Sequence, residues 1–414
     1  MQIYADLKKQ EFKSLKSNLN FIKIDIIIIG KRGYSMNIVI APDSYKGSLT
    51  SLEVGNAISD VFKEVIPEAN LKVIPIADGG EGTLEALLFA TGGQQIPIEV
   101  IGPLGDRILT EYGILGDNKT VVIEIAKIAG LTMIPKELQN PIKSTTYGVG
   151  EVILDACNRG YRDFIIGLGG SATNDGGLGM LQALDVTFLN EQGDQIVPIA
   201  ANLAKVKKVD FSTIDPLLME CRFQVACDVV NPLCGEQGAS AVYGPQKGAT
   251  AAIIKQLDEG LANYACMIED ALHKKLQNIP GAGAAGGLGF AFLTINGELT
   301  SGSKLISEAC DLENAIRSAN LVITGEGQSD HQTLFGKAPM FIANTAKNYE
   351  VPVILLSGSL GNGFEKLTDV FTACFSITNR PMTLENSIEA ADDLLRHQAR
   401  NIANLVNLNF RKNE

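Results

Sequence analysis

The feature that most constrains this chain is a pattern repeated along it from Met36 onward. Six times a short apolar, β-branched run breaks into a glycine-rich or polar turn, and helical periodicity commonly follows. Residues 37–41 form the first run, which leads into Pro42-Asp43-Ser44-Tyr45-Lys46-Gly47-Ser48. Thr50 and Glu53 then stand at capping-box spacing. Val54, Ala57, Ile58, Val61, Phe62 and Val65 follow at the spacing of one buried helix face. Later runs lie at 72–77, 164–166, 223–227, 321–324 and 353–356. Strands alternating with helices predict an α/β protein with mostly parallel sheets. In such sheets ligands bind beyond the carboxyl ends of the strands, which is where nearly every polar cluster of this sequence falls.

Composition sharpens the point through glycine. The chain of 414 residues contains 42 glycines, above the usual roughly 7%. Segments 78–82, 167–179, 281–289 and 325–336 hold 17 of them. Glycine lets backbone approach a ligand closely and turn through positive φ, so amides can converge on an anion. Four such loops at or near strand ends predict phosphate binding by backbone.

Several chemistries are poorly supplied. Gly-x-x-x-x-Gly-Lys-[Ser/Thr] is absent, and the dinucleotide glycine spacing fails at Ala172. A Gly-x-Gly-x-x-Gly match at 281–286 follows Pro280 rather than a strand, and it reads as a loop. Three histidines leave little for a Ser-His-Asp triad or a two-histidine metal site. Seven cysteines without a CxxC pair make neither a disulfide framework nor a zinc site, and they suit a reducing, cytoplasmic setting. The net charge of −12 argues against nucleic acid as the partner, and no apolar run is long enough for a membrane span. Residues 1–35 carry seven basic side chains against three acidic ones, so the remainder is more acidic still, at −16. With no clean apolar core or cleavage site for a secretory signal, this segment is expected to be a non-native or disordered upstream extension.

What remains is carboxylates, lysines and glycine-rich backbone. Asp43, Asp78, Glu81, Asp175, Asp228, Glu326 and Asp330 stand at strand ends, with Lys46, Lys247 and Lys337 in the same motifs. Carboxylates without histidine suit a hard cation such as Mg²⁺ bridging to phosphates. Lysines suit anionic substrates and charge on a transferred phosphoryl group. The chemistry indicated is phosphoryl transfer. A non-catalytic nucleotide- or sugar-acid-binding regulator and a carboxylate-based hydrolase are the rival readings.

These motifs closely resemble the glycerate kinase type-1 family over nearly all of residues 36–410. The resemblance rests on residues 41–48, Ala77-Asp78-Gly79-Gly80-Glu81-Gly82-Thr83, 167–179, 228–234, Pro245-Gln246-Lys247-Gly248-Ala249, 281–289 and 324–337. It implies ATP-dependent phosphorylation of D-glycerate with Mg²⁺, the 2-position favoured, and it leaves a homodimer open. It also implies two α/β domains. A Rossmann-like, mostly parallel, three-layer domain (36–90 plus 287–414) would be split around an inserted mixed-sheet α/β domain (91–286), with the site between them. Asp78, Asp175 or Asp228 would accept the hydroxyl proton, while Lys46 and Lys247 neutralise phosphate or carboxylate. Glu81, Glu326 and Asp330 would serve the metal. Asp43, Ser44, Gly79, Gly80 and Lys337 would contact substrate or phosphate. So would the loops carrying Gly169, Gly170, Ser171 and Asn174, and Gly283, Gly286 and Gly287. Tyr45 stands where Phe is common in the family, and Gln328 where many relatives carry Arg. Residues 1–35 have no counterpart.

Overall fold

The structure is a computed structural model that describes residues 36–77, 79–335 and 337–411. The expected extension, 1–35, and Asp78 therefore lie outside the described residues.

Two sheets organise the chain. The first comprises β1 (Asn37–Ile40), β2 (Asn70–Val73), β11 (Leu321–Thr324), β13 (Val353–Ser357) and β15 (Ala373–Ser376), in the order β15-β13-β11-β1-β2. All its pairings are parallel. The second comprises β3 (Gln94–Ile101), β4 (Arg107–Ile114), β5 (Thr120–Glu124), β6 (Asp163–Gly167), β9 (Arg222–Ala226) and β10 (Glu298–Thr300), in the order β10-β9-β6-β5-β4-β3. It is mixed, with β3 and β4 antiparallel and β5, β6, β9 and β10 parallel. Two short ribbons complete the set: antiparallel β7 (Thr187–Leu189) with β8 (Lys208–Asp210), and parallel β12 (Gln328–Ser329) with β14 (Ser359–Leu360).

Local sequence explains the elements. β1 is buried on both faces, with Ile38, Val39 and Ile40 all nearly inaccessible, as befits a central parallel strand. The helix Ser51–Val65 begins in the capping box of Thr50 and Glu53 and buries Val54, Ala57, Ile58, Val61 and Phe62. The strand expected at 72–77 ends at Val73. The chain still runs beside β1, since Ile74 donates to the Ile40 carbonyl and Ile76 to that of Pro42. Pro75 lies between them and has no N–H to continue a ladder.

The two sheets share a core. Val39 and Val322 of the first sheet and Val122 and Ile165 of the second belong to one buried cluster. Leu84 and Leu87 of the helix Thr83–Thr91, and Leu305 and Ile306 of the helix Gly302–Ala309, fill it. The return to the first sheet falls later than the expected break at 287. β10 pairs with β9, and the Phe292 ring packs on Phe223 at 5.8 Å, so residues 287–300 go with the second sheet. The glycines of 281–289 read as a loop, but the apolar run behind them is core. Among the described residues, no helix is long and apolar enough to cross a membrane.

Candidate active site

In the first sheet, β1 connects to β2 on one side, while β11, β13 and β15 extend on the other. The order reverses between β1 and β11, and a parallel sheet opens a crevice beyond the strand ends at such a switch point. The loops leaving the two strands are stitched together there. Asp43 donates its backbone N–H to the Gly325 carbonyl at 2.8 Å. The buried Tyr45 hydroxyl donates to the Leu356 carbonyl at 2.7 Å.

A cavity of about 500 Å³ opens at this point, lined among others by Asp43, Ser44, Lys46, Asp228, Glu326 and Lys337. Glu326 is 6% exposed and held on several sides. The Ser329 and Thr333 hydroxyls donate to its Oε1 at 3.0 and 2.7 Å, and the Lys337 ammonium pairs with Oε2 at 3.1 Å. Lys337 also stands at the N-cap position of the helix Ala338–Lys347, where its carbonyl accepts the Met340 and Phe341 N–H groups at 3.0 and 3.1 Å. Asp228 arrives from the other sheet, beyond the end of β9. Its Oδ1 accepts the Gly302 N–H at 3.1 Å, and the neighbouring Ser303 also lines the cavity.

Other expected site residues go elsewhere. Asp175 is fully buried and already saturated. Its carboxylate accepts the Thr146 N–H and hydroxyl at 2.9 and 2.8 Å, and the Gly177 and Gly179 amides at 3.1 and 3.2 Å. Burial pushes its pKa up, against those hydrogen bonds. Lys247 is 2% exposed and donates to Ser171 Oγ at 3.0 Å and the Thr173 carbonyl at 2.7 Å. Burial lowers its pKa to about 7, with the Asp175 charge only partly opposing. Asn174 is buried too and bonds Ser240 at 2.8 Å. All three sit behind the 167–179 loop rather than on the cavity wall.

The acidic residues expected at the metal do not converge. Glu326 lines the cavity, whereas Glu81 accepts from the Thr132 hydroxyl and Asp330 accepts the Gln332 N–H, both away from the lining. Among the described residues, no group of three or more His, Cys, Asp or Glu could by itself hold a metal.

The glycine loops serve each other more than an anion. Gly169 donates to the Gly79 carbonyl at 2.9 Å, and a Cβ on Gly169 would lie 2.4 Å from Gly80 Cα. Gly176 donates to the Gly286 carbonyl at 2.9 Å, and Gly286 takes a φ of +68 that a side chain would strain. Gly283 donates to Asn231, and Gly170 accepts from Leu131. Gly287, at φ +95, packs on Gly176. The Gly169, Gly176 and Gly283 amides are thus spent within the protein.

Sequence reasoning missed Ser303, Ser359, Thr378, Leu384 and Ile388, all on the cavity wall. Ser359 follows an identified strand, so its position was a usable signal. Thr378 follows β15, an edge strand whose four residues are all only half-buried, which leaves too weak an apolar run to notice.

Comparison with known proteins gives a consistent set of relatives. A family model described as the glycerate kinase family matches residues 38–407. A glycerate kinase of Halalkalibacterium halodurans is 47% identical over 88% of this chain and 97% of its own length. A glycerate 2-kinase of Escherichia coli is 45% identical over 91% of this chain and 99% of its own. A crystal structure from Salmonella typhimurium, provisionally named glycerate kinase 2, superposes with a TM-score of 0.81 at 44% identity. That likeness covers 91% of this chain and 99% of the other.

Proposed function

The chain belongs to the glycerate kinase family, and from that premise we propose that it transfers the γ-phosphoryl group of ATP to a hydroxyl of D-glycerate, at the 2-position, in the cavity at the β1/β11 switch point. The observation that carries this reading is the meeting of Asp43, Lys46, Glu326 and Lys337 from one sheet with Asp228 from the other. An acceptor hydroxyl must be held in line with the γ-phosphate, because positioning and charge stabilisation supply most of phosphoryl-transfer catalysis.

Asp228 is the carboxylate placed to take the hydroxyl proton. It is exposed to the cavity, and the Gly302 amide fixes one of its oxygens. Asp175 is too enclosed for that task. Lys46 and Lys337 face the same space and suit phosphate or carboxylate oxygens. Lys247 braces the 167–179 loop through Ser171 and Thr173, and Asp175 ties that loop to Thr146.

The donor set fits Mg²⁺, since hard carboxylate oxygens of Asp43 and Glu326 share the cavity and this ion needs only one or two carboxylates beside substrate phosphates. Held there, it would supply neutralisation of charge on the transferred phosphoryl group. In this reading residues 91–300 form the inserted unit, and Asp228 is its contribution to chemistry organised by the first sheet.

Release of ADP, measured with and without D-glycerate, tests the assignment. A kinase releases ADP in step with phosphoglycerate and only when the acid is present. Phosphate release from ATP alone would instead indicate a hydrolase, and binding without turnover a regulator.

A further inference from the structure

The cavity wall is chemically mixed. It carries the charged groups described above. It also carries the apolar side chains of Ile377, Leu384, Ile388 and Ala391. Leu384 is 71% exposed and Ile388 37% exposed, so these apolar side chains are left open to solvent. Both come from the short helix Leu384–Glu389, which has no buried residue at all. Positions four apart on a helix share a face, and here that face is turned onto the cavity rather than into the core.

We propose that this shelf is the seat of the heterocyclic base of the nucleotide donor. The inference rests on the phosphoryl-transfer reading above and extends it. Glycerate is three carbons bearing a carboxylate and two hydroxyls, with no apolar surface to bury. Of the two substrates only the nucleotide has a flat, weakly polar part, and a heteroaromatic ring on aliphatic side chains removes apolar area from water on both partners. Seating the base here leaves Lys46 and Lys337 of the same cavity wall for the phosphates, in a cavity whose volume suits a ligand of that size. The reverse orientation would set phosphates against Leu384 and Ile388 and the base among carboxylates.

The apolar helix and the charged loop are also mechanically joined. The Ser48 hydroxyl donates to the Ile388 carbonyl at 3.2 Å, so the loop carrying Asp43 and Lys46 is tied to the helix carrying the shelf. Ser387 lies between Leu384 and Ile388 in the helix and also lines the cavity, offering a hydroxyl to the ring edge.

The test uses the full chain with Leu384→Asp plus Ile388→Asp, and Leu384→Met as the conservative partner. Calorimetric titration with ADP and, separately, with inorganic tripolyphosphate reads the base and the phosphates apart. The aspartate pair is expected to weaken ADP about tenfold or more, as loss of roughly one buried aliphatic contact implies. Tripolyphosphate and the KM for glycerate should change by less than about twofold, and Leu384→Met should bind ADP like wild type. Because the helix buries nothing, thermal unfolding should be unmoved, which separates loss of the seat from loss of fold. Equal weakening of ADP and tripolyphosphate, or no weakening of either, would overturn the seat while leaving the kinase assignment standing. Failure of wild type to bind ADP or to use ATP would instead remove the functional reading, and the seat with it.

Discussion

Replacing Lys247 with Met separates a buried structural cation from a solvent-facing one. The ammonium is 2% exposed, and burial lowers its pKa from 10.5 to about 7. At about 1.36 kcal/mol per pH unit, that gap is worth roughly 5 kcal/mol. Between these two values the unfolded chain holds a proton on this amine that the folded protein has released. Stability contributed by this group therefore climbs with pH through the window, and it is lowest below about pH 7, where the cation is buried with its full cost. Methionine of similar length removes the titration, at the expense of the bonds to Ser171 and Thr173. The absolute stability of the variant mixes these opposing effects, whereas the pH slope isolates the amine. Urea unfolding followed by circular dichroism suits a chain that contains no tryptophan. Over about two pH units in the middle of the window, wild type should gain roughly 3 kcal/mol on the Lys247→Met variant. Curves that stay parallel would show the ammonium to be solvated and refute the placement of Lys247 behind the loop.

Two further outcomes follow from the site. Asp228→Asn keeps the acceptor for the Gly302 amide but loses basicity, so kcat should fall by about 10²–10⁴-fold with unfolding unchanged, read by coupled ADP release; near-wild-type turnover would remove Asp228 from the proton path. Tyr45→Phe restores the residue common in the family but strands the buried Leu356 carbonyl. It should cost about 1 kcal/mol in denaturant unfolding with little effect on kcat; an unchanged midpoint would mean that the hydroxyl adds nothing.

Much of the architecture was legible because local signals agreed with the global fold. The run Leu321–Thr324 is a strand with those bounds, and the capping box at Thr50 starts the helix whose stripe is buried as spaced. Asp43, Asp228 and Glu326, expected from their place at strand ends, and Lys46 and Lys337, expected from the same motifs, line the cavity. Neither signal reveals which way a side chain turns, and Asp175 and Lys247, marked in the same ways, are interior. Glycine was ambiguous for a related reason. A residue without Cβ lets backbone meet a phosphate or another backbone equally well, and at Gly79 and Gly169 it meets backbone. Leu384 and Ile388 were invisible because apolar residues four apart on a helix ordinarily mean core.

The cluster shared by the two sheets bears on how such an enzyme could shut water out. Swinging one sheet away from the other would pull Leu84, Leu87, Leu305 and Ile306 out of contact with strands on both sides. A close-packed interior does not stretch to accommodate that. Opening that seam would therefore expose apolar side chains on both sides of it. The helix Leu384–Glu389 buries no residue and is tied through Ser48 to the loop that carries Lys46, so moving it exposes less apolar surface than parting the two sheets.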